Sequence, residues 1–155
     1  MTQASLAETR LIGAWNLVSW QVLSPEGSTT SEPFGPTPVG LLQYSDDGWM
    51  SAAVSFPDRK NHPAGVSPRR MQPGLLADSF RTYFHYAGLW HIDGDCVIHS
   101  VRMSLNPNMV GTEQVRRMTF DADMLTLRGI EDVGPQPRQH VLLWQRAKPE
   151  YASPE

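Results

Sequence analysis

The sequence predicts an all-β domain of antiparallel strands with one short helix, and three observations carry that expectation. Short apolar runs alternate with polar residues at a period of two, the joints between runs are made of turn residues, and a single segment breaks the pattern with helical spacing. Thirteen prolines and twelve glycines are spread along the 155 residues, as many turns between short elements require. Eight or nine strands follow, and one domain of this length buries a sizeable core without disulfides or metal.

Taken in order, "AWNLVSWQVL" is rich in apolar and aromatic residues and stops at "SPEGS". "VGLLQYS" meets "WMSAAVSF" through "DDG", "YAGLWHI" meets "CVIHSVRMSL" through "DGD", and "QVRRMTF" meets "MLTLRG" through "DAD". "RQHVLLWQRA" supplies the final strand. In "GLLADSFRTYFHYAG", Leu76, Phe80, Tyr83 and Phe84 recur at helical spacing with Gly88 beyond them, which predicts a helix over Leu75 to Phe84. The segment Pro57 to Pro73 has four prolines and almost no apolar periodicity, and reads as a long loop able to serve as a flap beside that helix.

A net charge of −3 with no basic run longer than "RR" gives no footprint for a polyanion, so no nucleic acid is expected as a partner. Cys96 is the only cysteine, and "MTQASLAETRLIGAW" has neither a leader pattern nor a spanning segment. A cytoplasmic protein without a membrane partner is the expectation, and a homodimer stays open.

Eight or so antiparallel strands close as a barrel or stack as a sandwich. Gly13 and Trp15 in "LIGAWNL", together with Arg146 in "LLWQRA", resemble the lipocalin arrangement of a Gly-x-Trp opening and a late arginine packed over the tryptophan. "LIGAWNLVSW", "PFGPTPVGLLQYSDDGWMSA", "YAGLW" and "SLNPNMVGTEQVRRMTF", in that order, resemble the bacterial and fungal lipocalin-like domain family. The resemblance implies an antiparallel barrel of eight to ten strands with an internal cavity, over residues 11–147, with tails at 1–10 and 148–155. It implies no single activity, since some members act in natural-product pathways as cofactor-free cyclases or isomerases.

Strand parity sorts the side chains. A two-residue loop in the hairpin around Asp93 and Gly94 places Tyr86, Trp90, His99 and Met103 on one face, with His85, His91 and Arg102 on the other. The hairpin at Ala122 and Asp123 groups Gln114, Arg116, Met118 and Phe120 with Leu125 and Leu127, so an arginine points inward. A buried guanidinium does not lose its proton and needs acceptors. Three readings stay open for Arg116: a structural plug bonded to carbonyls or a carboxylate, an outward position after a bulge near Gly111, or, with Gln114, a holder of a ligand's oxygen. For His99 a neutral core histidine bonded to Tyr86 or to a backbone carbonyl competes with a catalytic role.

A three-residue loop with left-handed Gly48 would add Leu42, Tyr44, Met50 and Ala52 to the interior, and Leu142 and Trp144 follow on the last strand. Catalytic roles are expected for His99, Arg116 and Tyr86, and substrate contacts for Tyr44, Met50, Trp90, Met103, Gln114, Met118 and Trp144. No histidine pair has metal-ligand spacing, and phosphate-loop and nucleophile-elbow motifs are missing, so neither metal nor cofactor is expected. The expected partner is a small hydrophobic, oxygen-bearing molecule. Two functions remain open, a cofactor-independent cyclase or isomerase for a polyketide- or terpenoid-like substrate and a non-catalytic carrier, and the lean toward catalysis comes from the resemblance.

Overall fold

The computed structural model describes residues 5–132 and 134–150. Nine strands form one antiparallel sheet: β1 Gly13–Leu23, β2 Thr29–Ser31, β3 Val39–Tyr44, β4 Trp49–Ser55, β5 Tyr83–Asp93, β6 Cys96–Ser104, β7 Glu113–Asp121, β8 Met124–Glu131 and β9 Arg138–Arg146. Each of β3 to β8 pairs with the next, and β1 pairs with both β3 and β9, which closes eight strands into a barrel and leaves β2 as a short extra strand on β1. Closure removes the free edges that an open sheet of this length would expose.

Turn chemistry sets the hairpin registers as expected. Gly48 takes φ 90° between β3 and β4, and Gly94 takes φ 60° between β5 and β6. Ala122 takes φ 49° between β7 and β8, a left-handed position that a β-carbon disfavours.

One end of the barrel is sealed. Ser5 caps a short helix, α1 Leu6–Leu11, through a capping box with Glu8, so the segment expected as an N-terminal tail contributes structure and buries Leu11 completely. Trp15 Nε1 donates to the Leu11 carbonyl at 2.9 Å, and the Arg146 guanidinium lies 3.9 Å above the Trp15 ring while donating to the Ile12 and Arg10 carbonyls. A β-carbon on Gly13, at φ 118°, would fall 2.8 Å from Arg146 Nη1, so the glycine is what lets the arginine reach. Residues 1–4 and 151–155 of the expected tails lie outside the described residues.

Two expectations are corrected. The helix α2 spans Pro73–Arg81, and Tyr83 and Phe84 belong to β5, where they pair with Ser55 and Val54. Ladder hydrogen bonds thus override the helical spacing at that end. Met103 is 57% exposed, because Gly88 pairs with Val101 but Ala87 pairs with Met103, leaving Arg102 as an extra residue on β6. This bulge turns Met103 to the outside. Gly88 sits at the bulge, where a β-carbon would lie 1.9 Å from the Ser100 carbonyl oxygen.

Candidate functional site

The interior divides along the barrel axis. Toward the α1 end it is solid, filled by Trp15, Leu17, Tyr44, Met50, Val97 and Leu125. The other half holds a cavity of about 420 Å3. Leu42, Ala52, Val54, Leu127 and Leu142 give it apolar walls, while the half-exposed Glu131 and the exposed Ile130 stand where it meets solvent.

Tyr86, His99, Gln114, Arg116 and Trp144 all line this cavity, so the structure brings together five of the ten residues singled out from the sequence. Tyr44 lies beneath them in the packed half, bonded to His99. Met50 is buried core, Met118 packs against it, and Trp90 donates its indole N–H to the Ser45 carbonyl at 3.0 Å. None of these three lines the cavity, and Met103 is on the outer surface.

Arg116 faces inward, and the bulge considered near Gly111 does not turn it out. Its Nη1 donates to the Val115 carbonyl at 2.9 Å and its Nη2 to Gln114 Oε1 at 3.1 Å. It makes no salt bridge among the described residues. A β-carbon on Gly129 would lie 2.6 Å from Nη1 and 2.8 Å from Cζ, so the guanidinium rests in the space left by that glycine. Gln114 is held in turn by its own bond to Thr112 Oγ1 at 3.0 Å.

His99 is 1% exposed and sits between two tyrosines: Tyr44 Oη is 2.7 Å from Nε2 and Tyr86 Oη is 2.7 Å from Nδ1. Burial, reinforced by the nearby Arg116 charge, pushes the imidazole pKa down to about 3, so the ring is neutral at physiological pH. Burial also raises both tyrosine pKa values, against a smaller opposing effect of Arg116.

A second polar cluster stands at the rim. Trp20 Nε1 donates to His140 Nδ1 at 3.0 Å, and His140 Nε2 lies 2.8 Å from Glu131 Oε2, which also accepts from Arg138 Nη2 at 2.7 Å. The His140 hydrogen bond, the largest cause, lowers the Glu131 pKa, outweighing partial burial. Sequence reasoning missed Trp20, Glu131 and Gly129 as lining residues. Extending the Leu125, Leu127 row by twos reaches Gly129 and Glu131, so their signal was present. Trp20 was hidden because the register between β1 and β9 slips between Leu17 and Ser19, which reverses the parity of the rest of β1.

The Pro57 to Pro73 segment contains a 3-10 turn, Pro68–Arg70, and is tied to α2 by Arg59 on Ser79 and Thr82 and by His62 on Ser79. None of its residues lines the cavity. Among the described residues no group of three His, Cys, Asp or Glu side chains is arranged to hold a metal ion.

A closed eight-stranded barrel with an arginine over the first tryptophan and a one-ended cavity now stands beside a family match. The family model for the lipocalin-like domain covers residues 12–147. The chain belongs to the lipocalin-like domain family. No curated protein matches it. The lipocalin-like barrel suggests binding of a small hydrophobic ligand, and none of its described helices is long and apolar enough to cross a membrane.

Proposed function

We propose that the cavity binds a small, mostly apolar molecule through a carbonyl or enolate oxygen at Arg116, and catalyses a cofactor-free isomerisation or cyclisation of it. The observation that supports this is an inward guanidinium with no carboxylate partner among the described residues, lining an otherwise largely apolar cavity. A plug held by a carboxylate would carry its own counter-ion, whereas the Val115 carbonyl and Gln114 Oε1 leave the charge of Arg116 unneutralised. Polyketide- and terpenoid-like compounds combine apolar skeletons with such oxygens.

In the catalytic step, Arg116 draws electron density toward the carbonyl oxygen, and a proton on the adjacent carbon passes to a base. The C–H electron pair becomes the new C=C bond as the C=O π pair moves to oxygen. The enolate stays on Arg116 until the proton returns to another carbon or the enolate carbon closes a ring onto a second carbonyl carbon of the same molecule, whose C=O π pair moves to its oxygen and takes the proton back from the base. His99 is poorly suited to be that base, with both nitrogens bonded and its pKa pushed down to about 3. Glu131 is the carboxylate that lines the cavity, and its Oε1 has no protein hydrogen bond among the described residues.

The test uses prodan, a fluorescent naphthalene ketone, against the same protein carrying Arg116→Met. Methionine fills similar volume, so folding should persist while prodan affinity falls by roughly 1.5 to 3 kcal/mol, about tenfold or more. Uptake of deuterium next to the ketone in heavy water, lost in Glu131→Gln, would support catalysis. Tight binding without exchange would favour the carrier reading, and a large loss of stability with unchanged binding would make Arg116 structural.

A further inference from the structure

We propose that Tyr44, His99 and Tyr86 form a hydrogen-bond chain of fixed direction that makes Tyr86 a donor into the cavity, selecting a carbonyl or enolate oxygen over a group that only gives a proton. The inference rests on the small-molecule reading above and adds to it the chemistry of the recognised group.

A neutral imidazole has one donor nitrogen and one acceptor nitrogen. His99 therefore accepts from one tyrosine and donates to the other, and the two hydroxyls, both at 2.7 Å, are not equivalent in their surroundings. Tyr44 is 2% exposed, lies outside the cavity lining, and has His99 as its only side-chain partner among the described residues. If His99 donated to it, the Tyr44 proton would be stranded in packed core, where unpartnered donors are rare and costly. Tyr44 must give its proton to Nε2. That leaves Nδ1 protonated and donating to Tyr86, whose own proton then points away from His99. Tyr86, unlike Tyr44, borders the cavity.

The neighbouring groups have the same sense. Arg116 lines the cavity and has only donors, while the Trp144 indole N–H is enclosed in the wall, with no partner among the described residues. Gln114 Oε1 is engaged by Arg116, and Glu131 stands at the rim with Oε2 engaged by His140 and Arg138 and Oε1 without a protein partner among the described residues. Tyr86 and Arg116 thus present protons to one volume and invite a single acceptor oxygen. The chain stabilises that oxygen without protonating it, since passing protons from Tyr44 through His99 to Tyr86 would leave a phenolate at Tyr44, in the dry core. Tyr44 and His99 are positioning residues in this scheme, and Tyr86 touches the ligand.

Two measurements on the intact protein test it. Nitrogen-15 spectra of the imidazoles, with His99 assigned from His99→Gln, should show His99 neutral with the proton on Nδ1. A proton on Nε2 would overturn the chain's direction whatever any ligand does. Absorbance titrations of 4-nitrophenol across its ionisation should show tighter binding of the phenolate than of the phenol. Tyr86→Phe should cost the phenolate about tenfold and the phenol about twofold or less, as expected when a donor to a charged acceptor is lost. Equal weakening of both forms would overturn the proposed selectivity. Failure of both 4-nitrophenol and prodan to bind the wild type would overturn the small-molecule reading itself and leave the tautomer result standing.

Discussion

Arg116 lies across the backbone of Gly129, at a place where any β-carbon would meet its guanidinium at less than 3 Å. Gly129→Ala should therefore move the arginine without unfolding the barrel, because the group displaced is the far end of a flexible side chain. Prodan affinity should drop by about 1 kcal/mol, on the order of one net hydrogen bond, while stability changes by less than about 1 kcal/mol. Unchanged prodan binding would mean that the guanidinium's resting place is immaterial to recognition.

His99 should make the barrel acid-sensitive. Its folded pKa of about 3 lies below the ordinary histidine value, so between those limits the unfolded chain binds the extra proton and stability falls as pH falls. Between pH 7 and pH 4 the loss from this residue should be about 2 to 4 kcal/mol. Urea unfolding of the wild type and His99→Gln at both pH values measures it: the glutamine variant should show a flatter dependence, and equal slopes would contradict the assignment.

The bulge at Arg102 has a direct consequence for two residues that simple alternation treats alike. Val101→Ala should cost about 2 kcal/mol, since Val101 is 2% exposed, whereas Met103→Ala should stay within about 0.5 kcal/mol. Comparable losses at the two positions would place Met103 back inside.

Gly13→Ala should be among the costly single changes. It puts a β-carbon both at φ 118° and 2.8 Å from Arg146 Nη1, so it strains the backbone and disturbs the arginine over Trp15. A loss of about 1 to 3 kcal/mol in thermal or urea unfolding is expected. Prodan binding should survive, because this seal is at the opposite end of the barrel from the cavity.

The sequence by itself determined the class of fold, most of the hairpin registers and the inward sense of Arg116, His99 and Tyr86. Each of those is a local property: turn residues fix loop length, and a period of two then fixes sidedness. Parity failed where one strand has an extra residue opposite its neighbour, at Arg102 and between Leu17 and Ser19, because a bulge is decided jointly by two strands. Helical spacing failed at Tyr83 and Phe84 for a related reason, since pairing with β4 supplied what the helix would have. Depth was beyond the sequence altogether. Tyr44, Met50, Trp90 and Met118 face inward as alternation requires, yet they pack below the cavity floor, and only the closure of β1 onto β9 with α1 against that end decides which half of the interior is filled. Alternation records a side chain's direction from its own strand, whereas empty space is set by how all eight strands' side chains meet across the axis.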